Sequence, residues 1–332
     1  MIVPLPDKLA VVSERDALLM SPPSEGLQQG LEYLREGSSL DALQGLLGAA
    51  GGEALVDQLD ARGLLCTEPL RGFEGTEQAR QAGYLAQRTG RPSRAQARIR
   101  GARVAIVGVG GVGGVMLQHL IGAGARRFVL VDHDRVEPDN LNRQFVYGRD
   151  DLGVPKVEAA AAYIERVTTQ AEVRTLPQAL TNPAELEEAL DSEALDFLIL
   201  AADRPLPSLP RDVNDYCLGR GLPFIVLGIG LEIVNWGPLV APGSSACWRC
   251  VEELLDRRAG EDERRLKEAM TAPTSQSFGP VNTIGSALAA RDVIDWIAGA
   301  TDVPSVGTLL SLDLQTLTVS RFPAGPCEHP DQ

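Results

Sequence analysis

An apolar run at residues 104–107, rich in β-branched side chains, passes directly into four closely spaced glycines, Gly108, Gly110, Gly111 and Gly113. Four residues are too few for a helix, and a run apolar at every position predicts a strand buried on both faces of a parallel sheet. The glycines permit a tight turn and the close approach of a ligand to the backbone. A helix predicted over 115–123 points its first N–H groups back at that turn, the arrangement that holds a phosphate. A second strand over 128–131 ends at Asp132, placed where a carboxylate accepts hydrogen bonds from a ribose. Strand, turn, helix and strand define a mononucleotide-binding unit and nothing narrower, since the same spacing serves several chemistries.

The residues beyond Asp132 are more restrictive. The run DHDRVEPDNLNRQF adds Asp134, Asn140, Arg143 and Gln144, and VPK adds Lys156. Two cations beside a phosphate-binding turn suit a triphosphate better than a dinucleotide, because they stabilise the charge that builds on departing pyrophosphate. The stretches GVGGVG, D-x-D-x-V-x-x-x-N-L-x-R-Q and P-K-V-E resemble the ThiF/MoeB/HesA family, related to ubiquitin-activating enzymes, whose members adenylate a carboxylate with ATP. The resemblance spans about residues 80–327. It implies a doubly wound, mostly parallel α/β sheet in which Gly108, Gly110, Gly111, Gly113, Asp132, Asp134, Asn140 and Gln144 bind the nucleotide, while Arg143 and Lys156 act on its phosphates. It also implies that Asp203, just beyond the strand expected at 196–201, holds the Mg²⁺ that bridges the ATP phosphates, a cation suited to carboxylate and phosphate oxygens. The pair Arg80-Gln81 matches the arginine through which family members reach the phosphates of a neighbouring subunit, with Arg88 as the alternative; either implies a homodimer.

Five cysteines, odd in number, include one C-x-x-C, so a reduced cytoplasmic protein with a metal site is expected rather than a disulfide framework. Cys247 and Cys250 lie in a loop-like setting that suits structural zinc. The family completes such a site with a second C-x-x-C near the C-terminus; here Cys327 matches, position 330 is proline, and His329 is the expected fourth ligand. Cys217, among apolar neighbours at helical spacing, is expected to be a buried thiol rather than a nucleophile. A net charge of −14, from 31 basic and 45 acidic residues, argues against non-specific binding to nucleic acid or an anionic membrane. No apolar run reaches membrane-spanning length, and the first residues have neither the basic start nor the apolar core of an export signal.

Three parts are predicted along the chain: a small winged-helix-like α+β domain over 1–70, a linker and helical lead-in over 71–100, and the adenylating domain over 101–332. In the first, apolar runs at 8–12 and 17–20 predict a hairpin, followed by helices over 25–34, 40–47 and 53–62 and a closing strand at 64–65. Ser24 is expected to cap the first helix, and Ser38 with Asp41 the second. The segment is acidic and lacks a basic recognition face. Its order of elements resembles the precursor-peptide recognition domains of enzymes that modify ribosomally made peptides, of the microcin C and pantocin type, which hold a leader peptide by adding its strand to a sheet edge. That resemblance implies a ribosomal precursor peptide as substrate, adenylated on a carboxyl during biosynthesis of a peptide natural product. In order, the rest is expected to hold a helix over 157–167, a strand at 172–176, a helix opening at Asn182-Pro183, a strand in FIVLGIG, a charged helix over 251–273 that leads into a mobile crossover, and one or two antiparallel strands over 308–322. Three other functions fit less of the chain: activation of the C-terminal glycine of a sulfur-carrier protein, an NAD-dependent oxidoreductase that leaves Arg143 and Lys156 idle, and a leader-binding scaffold for a partner enzyme.

Overall fold

The computed structural model describes residues 2–12, 17–21, 24–66, 68, 70–205, 208–261, 265, 276–327 and 329, apart from the side chain of residue 71. The predicted crossover, and the charged run beyond residue 261 except residue 265, lie outside the described residues. The chain divides into two compact units, Met1–Ala97 and Arg98–Gln332.

In the first unit, β1 (Ile2–Pro4), β2 (Leu9–Val12) and β3 (Ala17–Met20) form an antiparallel sheet in the order β1-β2-β3. Helices α1 (Glu25–Glu36), α2 (Leu40–Leu47) and α3 (Ala49–Asp60) come next. Leu9, Val11, Leu18, Leu31, Leu55 and Leu59 make the core, because alternate strand positions and one face of each helix turn the same way. Ser24 caps α1 by accepting from the Leu27 amide. The cap of α2 is Ser39, one residue later than expected, accepting from Ala42. The third strand comes from the start of the chain; at 64–65 no strand forms. Gly63, at φ +62°, turns the chain so that the Leu64 amide returns to the Leu59 carbonyl, and Leu64 and Leu65 pack against the core as coil. The unit also holds α4 (Ala82–Thr89) and most of α5 (Pro92–Gly101).

The second unit is built on an eight-stranded sheet. Its strands are β4 (Arg103–Val107), β5 (Arg127–Val131), β6 (Glu172–Leu176), β7 (Phe197–Leu200), β8 (Phe224–Ile229), β9 (Ile233–Val240), β10 (Thr308–Asp313) and β11 (Thr318–Pro323). The spatial order is β11-β10-β9-β8-β7-β4-β5-β6; the five strands from β8 to β6 are parallel and the others join antiparallel. β9 has no counterpart among the strands expected from sequence. Around the sheet lie α6 (Gly113–Ala123), α7 (Lys156–Val167), α8 (Pro183–Leu190), α9 (Ser208–Gly219), α10 (Trp248–Arg258) and α11 (Gly279–Ala298). Strand order reverses between β4 and β7, so a crevice opens beyond their carboxyl ends, where α/β sheets bind ligands. Gly108 sits there at φ +88°, and a Cβ on it would lie 2.7 Å from the Ala202 amide nitrogen.

Candidate nucleotide site and cysteine–histidine cluster

The glycine turn is fixed by contact rather than by composition. A Cβ on Gly113 would fall 1.8 Å from the Gly108 carbonyl oxygen, so the first turn of α6 can cross the end of β4 only without a side chain. A Cβ on Gly111 would meet the Asn282 amide at 2.4 Å, which brings α11 against the turn. None of the amides from Gly110 to Gly113 donates to another described residue. These N–H groups, at the start of an eleven-residue helix, are free to face an anion.

Asp132 comes directly after β5. Its Oδ2 accepts from the Val109 amide at 2.9 Å and its Oδ1 from the Asp134 amide at 2.9 Å. Each oxygen keeps a lone pair for a ligand, while the bonds fix the carboxylate and tie it to the turn. Burial raises its pKa, against the opposing pull of Lys156. Lys156, buried at the start of α7, donates to Asp134 at 2.8 Å. Burial alone would raise the Asp134 carboxyl, but the Lys156 bond and the charges of Lys156, His133 and Arg204 outweigh it and hold the group below its usual range. Asp132, His133 and Asp134 place one potential ligand atom each within 4.8 Å of the others.

Arg143 comes from the loop between β5 and α7. The buried Asn140 shapes that loop: its Oδ1 accepts from the Glu137 amide and its Nδ2 donates to Asp139, while its carbonyl accepts from the Arg143 and Gln144 amides. The loop sets the Arg143 stem 3.6 Å from the position of a Gly111 Cβ, and its guanidinium donates to the Asp139 carbonyl and to Asn142. Gln144 is buried beside Gly110, and its Oε1 has no partner among the described residues. Gln144 Nε2 lies nearest the turn, 3.8 Å from the position of a Gly110 Cβ. Asp203 lies exposed beyond β7, with no hydrogen bond or ion pair among the described residues. A carboxylate there fits a hard divalent cation held between it and phosphate oxygens. Arg80, exposed in a turn ahead of α4, belongs to the first unit.

Three residues for which no role is expected from the sequence bear on the turn: Tyr147, whose hydroxyl donates to the Val109 carbonyl at 2.7 Å, Asn282, and Ser286, whose Oγ lies 3.2 Å from the Val112 carbonyl. Tyr147 shares the loop of Gln144, but nothing in its spacing shows the contact.

Cys247, Cys250, Cys327 and His329 converge, with ligand atoms within 4.8 Å of one another. Separations are 3.7 Å for Cys247–Cys250, 3.4 Å for Cys250–Cys327, and 3.3–3.5 Å from His329 Nδ1 to the three sulfurs. Tetrahedral zinc, with bonds of about 2.3 Å to sulfur and about 2.0 Å to nitrogen, needs edges of roughly 3.5–3.8 Å, and the cluster fits that set. His329 Nε2 lies 3.1 Å from Glu253, the carboxylate that orients a ligating imidazole. Burial pushes the Cys247 thiol up; against burial, the backbone and ring of His329 and the other two thiols draw Cys327 down to about 7. Cys247 caps α10, whose N-terminus favours a thiolate. Cys217 is fully buried, and burial drives its pKa far up, as befits a core side chain.

A reversal point beneath a glycine turn, with an Arg, a Lys and two carboxylates around it, defines a nucleotide-binding α/β domain that also carries a Cys₃His cluster. The chain belongs to the ThiF family, whose pattern matches residues 80–332. It is 33% identical over 160 residues to the sulfur carrier protein adenylyltransferase of Thermus thermophilus, a match covering 47% of this chain and 57% of that protein. The chain spans about half the length of the first curated relatives it matches. Its fold is that of E. coli MccB, solved with ATP (TM-score 0.79, 22% identity, 99% of this chain and 96% of that one), and of the microcin C7 biosynthetic enzyme MccB in complex with N-formylated MccA (0.77, 21%, 99% and 96%).

Proposed function

We propose that the chain adenylates a carboxylate of a ribosomal precursor peptide with ATP, releasing pyrophosphate. The observation that carries the ATP part is the convergence of free turn amides, the Arg143 loop and the Lys156–Asp134 pair at one end of the sheet. The amides of Gly110 to Gly113 receive phosphate, and Asp132 and Gln144 accept from the nucleoside. The substrate carboxylate attacks the α-phosphorus; a new acyl C–O–P linkage forms, the bond to the β-phosphate oxygen breaks, and the electron pair leaves on pyrophosphate. Arg143 and Lys156 neutralise that charge, and Asp203 would hold a Mg²⁺ that supplies further charge neutralisation. The attacking group is already an anion, so no residue of the chain has to remove a proton. Cys247, Cys250, Cys327 and His329 would hold zinc as four protein ligands, tying residues 327 and 329 to α10 and serving structure rather than catalysis.

The peptide part rests on the first unit. The family pattern begins at residue 80, yet the fold of MccB extends through 99% of the chain. In the small sheet, among the described residues, β3 pairs only with β2, and Leu19 on it is 55% exposed. The opposite edge, β1, ends in Pro4, which cannot donate to a ladder. An extended leader therefore adds to β3. Arg80 acts in trans in a homodimer, so mixing Arg80→Ala with Lys156→Ala chains restores about a quarter of the activity through heterodimers.

ATP–pyrophosphate exchange tests the reading, with a short peptide encoded beside the gene and a glycine-terminated sulfur-carrier protein as alternative acceptors. Exchange driven by the peptide and weakened by Leu19→Asp supports it. Exchange driven by the carrier alone transfers the reading to the activity named for the Thermus relative.

A further inference from the structure

Close contacts at Gly108, Gly111 and Gly113 shape the glycine turn. Two hydroxyls from separate elements also bond its carbonyls. Tyr147, from the loop after β5, donates to the Val109 carbonyl at 2.7 Å, and Ser286, from the middle of α11, bonds the Val112 carbonyl at 3.2 Å. Both residues are buried, at 6% and 0% exposure.

A peptide plane is rigid and trans, so its C=O and the following N–H point in opposite directions. Holding the Val109 carbonyl therefore aims the Gly110 amide the other way; the Val112 carbonyl, which also accepts from the Met116 amide at 3.0 Å in the first turn of α6, is held by Ser286 as a second donor with the Gly113 amide on its opposite side. Those two amides are among the ones with no partner in the described chain. On the other side of Val109, Asp132 takes its N–H at 2.9 Å, which fixes the preceding plane as well. Burial and the nearby charges of Asp132, Asp151 and Asp134 keep the Tyr147 phenol protonated, so it remains a donor.

We propose that Tyr147 and Ser286 are positioning residues of the nucleotide site, their buried hydroxyls holding the Val109 and Val112 carbonyls inward so that the Gly110 and Gly113 amides on the opposite sides of those peptide planes meet the phosphates. The proposal rests on the ATP reading above. Neither residue touches the reacting atoms; each acts through a peptide plane, and the benefit is preorganisation of donors before ATP arrives.

The test is calorimetric titration of the full chain and of its Tyr147→Phe and Ser286→Ala variants with Mg-ATP and, separately, with adenosine. Tyr147→Phe keeps the ring and removes only the hydroxyl. Its affinity for ATP is expected to fall about tenfold, and that of Ser286→Ala about fivefold, while adenosine affinity stays within a factor of two in both. A part that is merely structural would weaken both ligands together. Unchanged ATP affinity in both variants, or equal loss for ATP and adenosine, overturns the proposal while leaving the ATP reading intact. A wild-type chain that binds no ATP refutes the functional reading, and the proposal with it. Should Tyr147→Phe fail to fold, the Ser286→Ala titrations decide alone.

Discussion

Four glycines in one short turn have different jobs, and substituting alanine at two of them separates folding from binding. At Gly113 a methyl group would sit 1.8 Å from a backbone oxygen, far inside the 3.0 Å below which something must shift, and neither β4 nor α6 can give without unpacking from a fully buried core. At Gly110 the nearest atom to a new methyl is Gln144 Nε2, at 3.8 Å, an ordinary contact. Gly110 does not have a positive φ, so alanine fits its backbone. Gly113→Ala is therefore expected to cost about 3 kcal/mol or more, the upper end of overpacking. For a unit of this size that lowers the melting temperature by roughly 6–12 °C. Gly110→Ala should melt within about 2 °C of the natural chain yet bind ATP at least tenfold more weakly, because the methyl group occupies space that the phosphates approach. Differential scanning calorimetry with and without ATP reads both effects. A Gly113→Ala chain that melts with the natural one, or a Gly110→Ala chain as unstable as Gly113→Ala, would refute the contact analysis.

Arg143→Ala and Lys156→Ala should each slow pyrophosphate exchange by roughly 100- to 1000-fold, and full retention in either sinks the mechanism. The chain should contain close to one zinc per molecule by plasma emission; His329→Ala should lose most of it, whereas His329→Cys, which offers a fourth thiolate, should keep it. Glu253→Gln should leave zinc bound but reduce its affinity about tenfold or more in a competition titration with a chelator. The Lys156–Asp134 pair gives a pH signature. Because the Asp134 carboxyl is held below its unfolded value, its contribution to stability is present above about pH 4 and disappears as the pH falls through the folded pKa. Lys156→Met should therefore narrow the stability difference between pH 6 and pH 3, as measured by denaturant unfolding, and an unaltered difference counts against the pair.

Most of the parallel half of the sheet was legible because β4, β5, β7 and β8 are built on short apolar runs, and α8 shows its cap: Asn182 accepts from the Glu185 amide as its position before Pro183 suggests. β9 escaped because IVNWGPLV mixes polar, glycine and proline residues, and its strand form comes from pairing with β8 and β10 rather than from its own pattern. The expected strand at 64–65 failed for the converse reason. Its leucines have the right hydrophobicity, but the helix-ending glycine directs them into the core as coil.

The sequence by itself determined the strand–glycine–helix unit, the identity of Arg143, Lys156 and Asp132, and the C-x-x-C, since these depend on residue types at short spacing. Only the tertiary structure decided that Asn140 serves the loop carrying Arg143, that Lys156 is paired with Asp134, and that His329 completes the cluster of Cys247, Cys250 and Cys327. It alone brought Tyr147 and Ser286 to the two carbonyls of the turn, the latter across 174 residues. A hydroxyl in a helix or loop has the same local energetics whether or not a carbonyl waits for it, so its partner is settled only when the sheet order and the helix packing bring the two together.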